Sequence, residues 1–391
     1  MSSIYYIKKR FVDLTHNQYI PPREGIDDPL CFTACENGCT VTLTAAGENP
    51  PSVSLEYSTD NQTWNTYNVG TTITMSNYGD KVYFKGINTT FGKSSGSLAS
   101  GDCNRFVLTG LQRALGNIMS LVDPTCQSTT IPGTYCFRLL FFGNKTLLSP
   151  PLMPATTLKT GCYKETYYGC TGMASPPALP ATSVSNSAYY SMLHGSGIKT
   201  APYLPGTSLE GDAYLNMFRE CLYLVHAHDF PSGNYTFTGN QQCYNMFYGC
   251  SSLRRGPSSI PFQTLPTSCC YYMFSGCGEL ENLPNILSTS VGASACRQMF
   301  NECVNAQGTP DILFTEMGGN QCMYAMFRMC QSMSGVKVHF TDWENGYTDT
   351  TTNWLSNAAS SGTFICPAAL NTTTRSVSRV PEGWTVETFT E

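Results

Sequence analysis

Few residues of this chain stand at the spacings that chemistry requires. His226-Ala227-His228-Asp229 sets two imidazoles on one side of any extended segment, the convergence a metal needs. No third or fourth ligand follows at a suitable distance, and a solvated insertion loop accounts for the group equally. Cys31, Cys35 and Cys39 stand four apart with Cys103 far downstream. A zinc knuckle shows a tight cysteine pair and then a second pair, so disulfide or plain packing is the expectation here. Glu279 and Glu281 are the nearest paired carboxylates, but glycoside hydrolysis needs two facing each other across a cleft. Glu302, Glu316 and Asp311 are no better placed. The sequence has no Gly-x4-Gly-Lys-Ser/Thr phosphate loop. Asn88, Asn144 and Asn371 open glycosylation sequons, which matter only in a eukaryotic secretory route. The expectation is therefore a protein without catalysis, without a cofactor and without a resident metal.

What does recur is a packing pattern. From Cys136 to Phe327 the chain repeats Cys or a small residue, often Tyr, then Met-Phe, a variable residue, Gly, Cys, two more residues and Leu. The clearest copies are Cys269–Leu280, Gln242–Leu253 and Cys162–Met173. The second residue of each Met-Phe pair, or its equivalent, falls at Phe141, Tyr167, Leu193, Phe218, Phe247, Phe274, Phe300 and Phe327, in steps of 26, 26, 25, 29, 27, 26 and 27 residues. A near-constant period of this size predicts a solenoid, because one unit cannot bury its apolar face alone whereas stacked units can. The repeat core is then Cys162, Cys170, Met217, Phe218, Cys221, Met246, Phe247, Cys250, Leu253, Cys269, Met273, Phe274, Cys277, Leu280, Met299, Phe300, Cys303, Met326, Phe327 and Cys330. The 29-residue step implies an insertion around His226–Thr238. Thr166, Leu193 and Ser196 break the pattern, so the second and third copies are expected to be less regular.

Composition narrows the classes. With 13% charged residues and a net charge of -5, a dominant nucleic-acid site is not expected, since phosphate binding wants clustered Lys and Arg. Aromatics at 12% and hydrophobic residues at 41% argue against disorder. No stretch reaches the length of a membrane span, and the first residues lack the apolar core of a signal peptide. A cytoplasmic origin is expected, with a final place on a particle released by lysis still open. Nineteen cysteines are many, but most recur at fixed places in the repeat, which favours small buried hydrophobes over disulfides or metal ligands.

Four regions must position these residues. Residues 1–29 read as an arm, with Tyr5, Tyr6, Ile7 and Phe11 as anchoring side chains; a first strand or a frayed terminus are the alternatives. Residues 30–100 carry short alternating strands and predict a small β-sandwich of immunoglobulin type, with the glycine and serine run 92–101 as linker. Residues 101–345 form the solenoid, opening with an atypical cap, and 346–391 close it. The fold class is mainly β with short helices. Within each unit, apolar offsets of 0, 4, 5 and 8, as at Cys269, Met273, Phe274 and Cys277, predict a short helical turn with Gly at its exit. Short strands of about three residues should form a regular face, near which lie Lys199, Tyr203, Arg254, Arg255, Asn282 and Lys337, the candidate recognition residues.

The repeat pattern, with Pro-Ala-Thr-Thr-Leu after it as at Pro154–Leu158, resembles the leucine-rich repeats of the BspA type. Glu48–Met75 looks like the β-domain that often precedes such repeats, and Asn353–Cys366 looks like their closing segment. The resemblance spans roughly residues 40–390. It implies a surface protein of gut bacteria or a structural protein, a head or tail fibre or capsid decoration, of phages infecting Bacteroides-like hosts. Without a signal peptide, the virion reading is the better match and the cell-surface adhesin is the alternative. The virion reading implies a homo-oligomer, with a trimer favoured. It also implies docking to a capsid or tail protein through the arm, and a host-surface glycan or protein as ligand.

Overall fold

The computed structural model describes residues 25–94 and 101–390. Among the described residues the architecture is mainly β, with helix limited to one 3-10 turn at Ile118–Leu121. Residues 30–115 form two packed antiparallel sheets. The strands are β1 (Leu30–Ala34), β2 (Cys39–Ala46), β3 (Leu55–Ser58), β4 (Asn65–Tyr67), β5 (Thr72–Met75), β6 (Lys81–Gly86), β7 (Cys103–Thr109) and β8 (Gln112–Leu115). One sheet runs β5-β2-β7; the other runs β4-β3-β6-β1-β8 and continues into β9 (Leu147–Ser149). Alternation explains the burial: Cys39, Val41 and Leu43 of β2 face inward while Thr40, Thr42 and Thr44 do not. Phe32, Phe84 and Phe106 meet between the sheets at centroid distances of 4.9 to 6.0 Å.

Two sequence expectations are corrected in this region. The immunoglobulin arrangement sets the first strand beside the second. Here β1 lies between β6 and β8, and β7 flanks β2. The run at 92–101 does not end the sandwich either, because β7 and β8 follow it and belong to the two sheets. Residues 95–100 of that run lie outside the described residues. The arm's last residues are already part of the body: Asn117 donates from its side-chain amide to the Ile26 carbonyl at 2.8 Å and from its backbone to Asp28 at 2.9 Å. The candidate anchors Tyr5, Tyr6, Ile7 and Phe11 lie outside the described residues.

The solenoid units do not contain the helical turn that the offsets predicted. Each instead contains a ribbon of tight turns in which every fourth residue is left-handed. In Ser268–Gly276 these are Ser268 (φ 56°), Tyr272 (φ 55°) and Gly276 (φ 77°). In Gly161–Gly169 they are Gly161, Glu165 and Gly169. Backbone N–H groups then alternate in destination. Tyr271, Met273 and Ser275 donate three residues back, to Ser268, Cys270 and Tyr272. Cys270, Tyr272 and Phe274 donate to Ala295, Arg297 and Met299 of the next unit, at 2.8 to 3.0 Å. Half of the ribbon therefore closes turns, and the other half makes a ladder between units. The four-residue period buries Cys269, Cys270, Met273, Phe274 and Cys277 and turns Tyr271 and Tyr272 outward.

Side chains stack in the same register. Phe218, Phe247, Phe274, Phe300 and Phe327 lie nearly parallel at 5.2 to 5.5 Å. A second stack runs Phe91, Phe137, Tyr163, Tyr189 and Tyr214, then hands its position to Cys243, Cys270 and Cys296. The cysteine expectation holds: all nineteen thiols are free, and all but Cys35 are buried. Their repeat position has a polar use as well. The thiols of Cys170, Cys221, Cys250, Cys277, Cys303 and Cys330 each donate to a carbonyl of the preceding unit at 3.0 to 3.2 Å. Burial pushes the Cys170 thiol up to about 12 and Cys221 to about 11, so both stay protonated donors at neutral pH. The expected irregularity at Thr166, Leu193 and Ser196 is absent. Thr166 satisfies its hydroxyl on the Phe137 and Tyr163 carbonyls, both at 2.9 Å, and Ser196 contacts the Cys221 thiol at 3.6 Å.

Between ribbons the chain crosses two-residue strands rather than three-residue ones. β10 (Ser183–Val184), β11 (Ser208–Leu209) and β12 (Thr236–Phe237) pair in parallel. β13 (Ser259–Ile260), β15 (Asn285–Ile286) and β17 (Asp311–Ile312) form a second parallel stack with β18 (Gly335–Val338), while β14 (Thr264–Leu265) pairs β16 (Ser290–Val291).

Both ends of the ladder are covered. At the start, the amides of Phe91 and Phe106 donate to Cys136 and Leu140 of the first ribbon, and the Phe32–Phe106–Phe141 rings carry the sandwich core into the repeat core. The buried Arg138–Glu165 pair at 3.0 Å ties the first two ribbons. At the far end the array does not decay after Phe327. A further ribbon spans Asp349–Asn357, with Trp354 against Phe327, and its Leu355 amide donates to Val377. β19 (Gly362–Pro367) and β20 (Trp384–Phe389) extend the parallel sheet beyond it.

Because Phe274 is wedged between Phe247 and Phe300, Phe274→Ala should lower the unfolding free energy by about 3–5 kcal/mol. Leu222→Ala, at an exposed position, should change it by no more than about 0.5 kcal/mol. Denaturant midpoints of the two variants check this.

Candidate functional site

Charge and concavity meet on the segment that leaves each ribbon after its Cys and Leu. Buried Ile198, Leu224, Leu253 and Leu280 fix the chain there from unit to unit. The next residues then line up as rungs. Val225 donates to Lys199, Arg254 and Arg255 both donate to Val225, Glu281 donates to Arg254, and Gln307 donates to Glu281. Parallel bridges Thr200–His226 and His226–Arg255 fix a second row. In-register rungs set equivalent side chains about 4.8 Å apart. Lys199, His226, Arg254, Arg255, Glu281 and Asn282 are therefore neighbours on one surface.

A groove of about 350 Å³ opens among Val225, His226, Arg254, Arg255 and Glu281. Arg254 lies 3.9 Å from Glu279, an exposed and hence weak pairing. The Arg255 side chain is exposed and makes no hydrogen bond or ion pair of its own among the described residues, while its backbone is held in the rungs. Just upstream in the chain, Leu222 and Tyr223 stand 54% and 62% exposed.

Other sequence candidates fall differently. His226 and His228 approach edge to face at 5.0 Å, but Asp229 is used as an acceptor for the Ser258 amide at 2.6 Å. No group of three or more His, Cys, Asp or Glu able to hold a metal occurs among the described residues. The insertion is not merely solvated, since Phe230, Tyr235 and Phe237 gather around Phe262 at 4.8 to 5.2 Å. Tyr203 is half-buried and meets His228 edge to face at 6.4 Å, outside the groove lining. Lys337 does not join the row. It lies on β18, where it pairs with Asp311 at 3.0 Å beside His339. Glu302 faces Arg328 at 3.9 Å. Cys31, Cys35, Cys39 and Cys103 sit on or beside β1, β2 and β7, and Cys39 donates to the Glu36 and Leu111 carbonyls.

A second feature has no counterpart in the motif reading. The outward side of the ribbons carries half-buried rings alternating with cations. Tyr168 stacks on His194 at 4.3 Å, Arg219 covers Tyr248 at 4.9 Å, Tyr244 stacks on Tyr271 at 4.8 Å, and Arg297 bridges Tyr271 and Tyr324. Each contact joins successive units, so the stripe braces the ladder from outside. Part of the signal for it was the Tyr that precedes Met-Phe, as at Tyr244, Tyr271 and Tyr324, whereas Tyr168 and Tyr248 follow the pair.

No family model matches the chain, and no curated protein matches it in sequence. Among solved structures the chain is similar to a leucine-rich repeat protein from Bacteroides ovatus, at 13% identity and a TM-score of 0.26, over 64% of this chain and 86% of that one.

His194 yields a pH prediction. Burial drives its imidazole below the ordinary 6.5, and Glu220 at 3.5 Å offsets this only in part. The folded state thus disfavours the protonated ring. Stability is fully present above pH 6.5 and declines as pH falls from there towards the lower folded value. An NMR titration should place the His194 midpoint below that of a model peptide, and His194→Gln should flatten this part of the pH–stability curve.

Proposed function

We propose that this chain is a non-enzymatic virion structural protein, a head- or tail-fibre or capsid-decoration component with BspA-type leucine-rich repeats. In this reading its solenoid is held out for recognition of a glycan or protein on the host surface. The observation that supports the reading best is the rung-aligned row from Lys199 to Asn282, with its open groove and its unengaged Arg255. A rigid ladder repeats side-chain directions at fixed spacing, and such a surface recognises an extended target without moving. In this reading the buried thiols and stacked rings serve a stiff spacer. Residues 1–24 are assigned the docking role towards a capsid or tail protein, and a symmetric trimer is the assembly proposed.

Two measurements test this. A protein lacking residues 1–24 should keep the unfolding midpoint of the full chain yet lose particle attachment. Attachment at full occupancy without them would overturn the arm's role. Full-length protein should bind host cells as a trimer by light scattering and lose binding when surface polysaccharide is stripped. An intact chain on the envelope of uninfected cells would instead favour the bacterial adhesin.

A further inference from the structure

We infer that the groove between the units at Val225, Arg254 and Glu281 is a binding site for a saccharide bearing one carboxylate, a uronic-acid residue of a surface glycan. This rests on the recognition reading above and names its ligand class.

Charge selects the anion. The permanently charged side chains on and beside the rungs are Lys199, Arg254, Arg255, Glu279 and Glu281. Arg254 and Glu279 compensate each other, and Lys199 with Arg255 exceeds Glu281 by one positive charge. The site is thus matched to a single negative charge. A phosphate, carrying more than one, would be opposed by the carboxylate of Glu281 that lines the same groove. Arg255 is the group placed to meet the carboxylate. It is exposed and unengaged, and its planar fork can donate two parallel hydrogen bonds.

The remaining walls suit a sugar ring rather than a bare anion. Glu281 has acceptor oxygens for ring hydroxyls, and His226 offers a ring nitrogen. Val225 contributes apolar surface, and Tyr223 stands 62% exposed two residues before it in the chain. The volume of about 350 Å³ is at the small end of ligand sites, enough for one or two sugar units. The rung geometry keeps the cations and the acceptor at fixed spacing, so no side-chain shelf has to form on binding.

The test is calorimetric titration of the full chain with a galacturonic-acid trisaccharide and a glucuronic-acid-containing trisaccharide. The methyl esters of both, sodium phosphate and a tetraglutamate peptide complete the set. At least one acidic trisaccharide should bind, and its ester should bind about tenfold or more weakly. Arg255→Ala should weaken the acid by a similar factor, and Arg255→Lys should recover part of it. Glu281→Gln should weaken the saccharide and strengthen phosphate. All three variants should melt with the parent, since both residues are exposed. The inference is overturned if neither acidic trisaccharide binds, if acid and ester bind alike, or if Arg255→Ala changes nothing. Phosphate or tetraglutamate binding as tightly as the trisaccharide would overturn it too, leaving a plain anion or peptide surface. Host-cell binding separates the two levels. Equal cell binding by parent and Arg255→Ala sinks this inference and leaves the recognition reading standing. No cell binding by the parent, with the saccharide still bound, sinks the recognition reading instead.

Discussion

The structure depends on the alternation of backbone hydrogen bonds in the turn ribbons. A ribbon residue either closes its own turn or reaches the next unit, and the pattern switches at every residue. Neither half suffices. Turns alone would leave every second amide unpaired in a buried setting, at a cost of about 1–3 kcal/mol each. A ladder alone would lack the curvature that returns the chain to its next rung. The left-handed residue every fourth position makes the two compatible. Glycine takes that conformation freely at Gly169, Gly249 and Gly276, whereas Tyr272, Ala325 and Met329 adopt it against their preference. The ladder holds them there, because relaxing one of them would displace the donors on either side.

The side chains follow from the same register. Units about 5 Å apart let one ring stack on its equivalent, and the second residue of each Met-Phe pair does so from Phe218 to Phe327. Where a carbonyl already accepts an amide of its own turn, the next unit's thiol supplies a second donor, as Cys303 does to Phe274. Cysteine suits that position because it is small, apolar enough to bury and still a donor. The open ends of such a stack are its weak point. The sandwich strand β7 meets that need with a backbone donor, and the segment around Val377 and Ser378 with the Val377 carbonyl and the Ser378 hydroxyl as acceptors, not only with apolar cover.

Much of this was legible in the sequence. The period, the repeat core and the buried thiols all follow from the spacing of Met, Phe, Cys and Leu. The helical turn did not survive, and the reason is arithmetic. Offsets of 0, 4, 5 and 8 fit a period of four as well as 3.6, and over eight residues the two differ by only about 80° of rotation. The discriminating signal was elsewhere: Ser, Asn, Asp and Gly recur four apart at Ser187, Ser191 and Gly195 and at Asp212 and Asn216, residues that tolerate the left-handed region. Alternation revealed strands in the sandwich but not their partners, so the place of β1 and the return of β7 were not visible. The charged row was legible wherever a residue sits three to five positions after the repeat cysteine or its substitute, as Lys199, Arg254, Arg255 and Asn282 do. Lys337 comes seven after Cys330 and so falls on the neighbouring strand stack with Asp311.

Residue-resolved amide hydrogen exchange tests the ladder most directly. The account predicts that Tyr271, Tyr272, Met273 and Phe274 exchange together and slowly, although the first two side chains face outward, because each amide is bound either within its turn or to the next unit. Fast exchange at Cys270, Tyr272 and Phe274, with slow exchange confined to Tyr271, Met273 and Ser275, would show ribbons that close their own turns without joining their neighbours, and would contradict it.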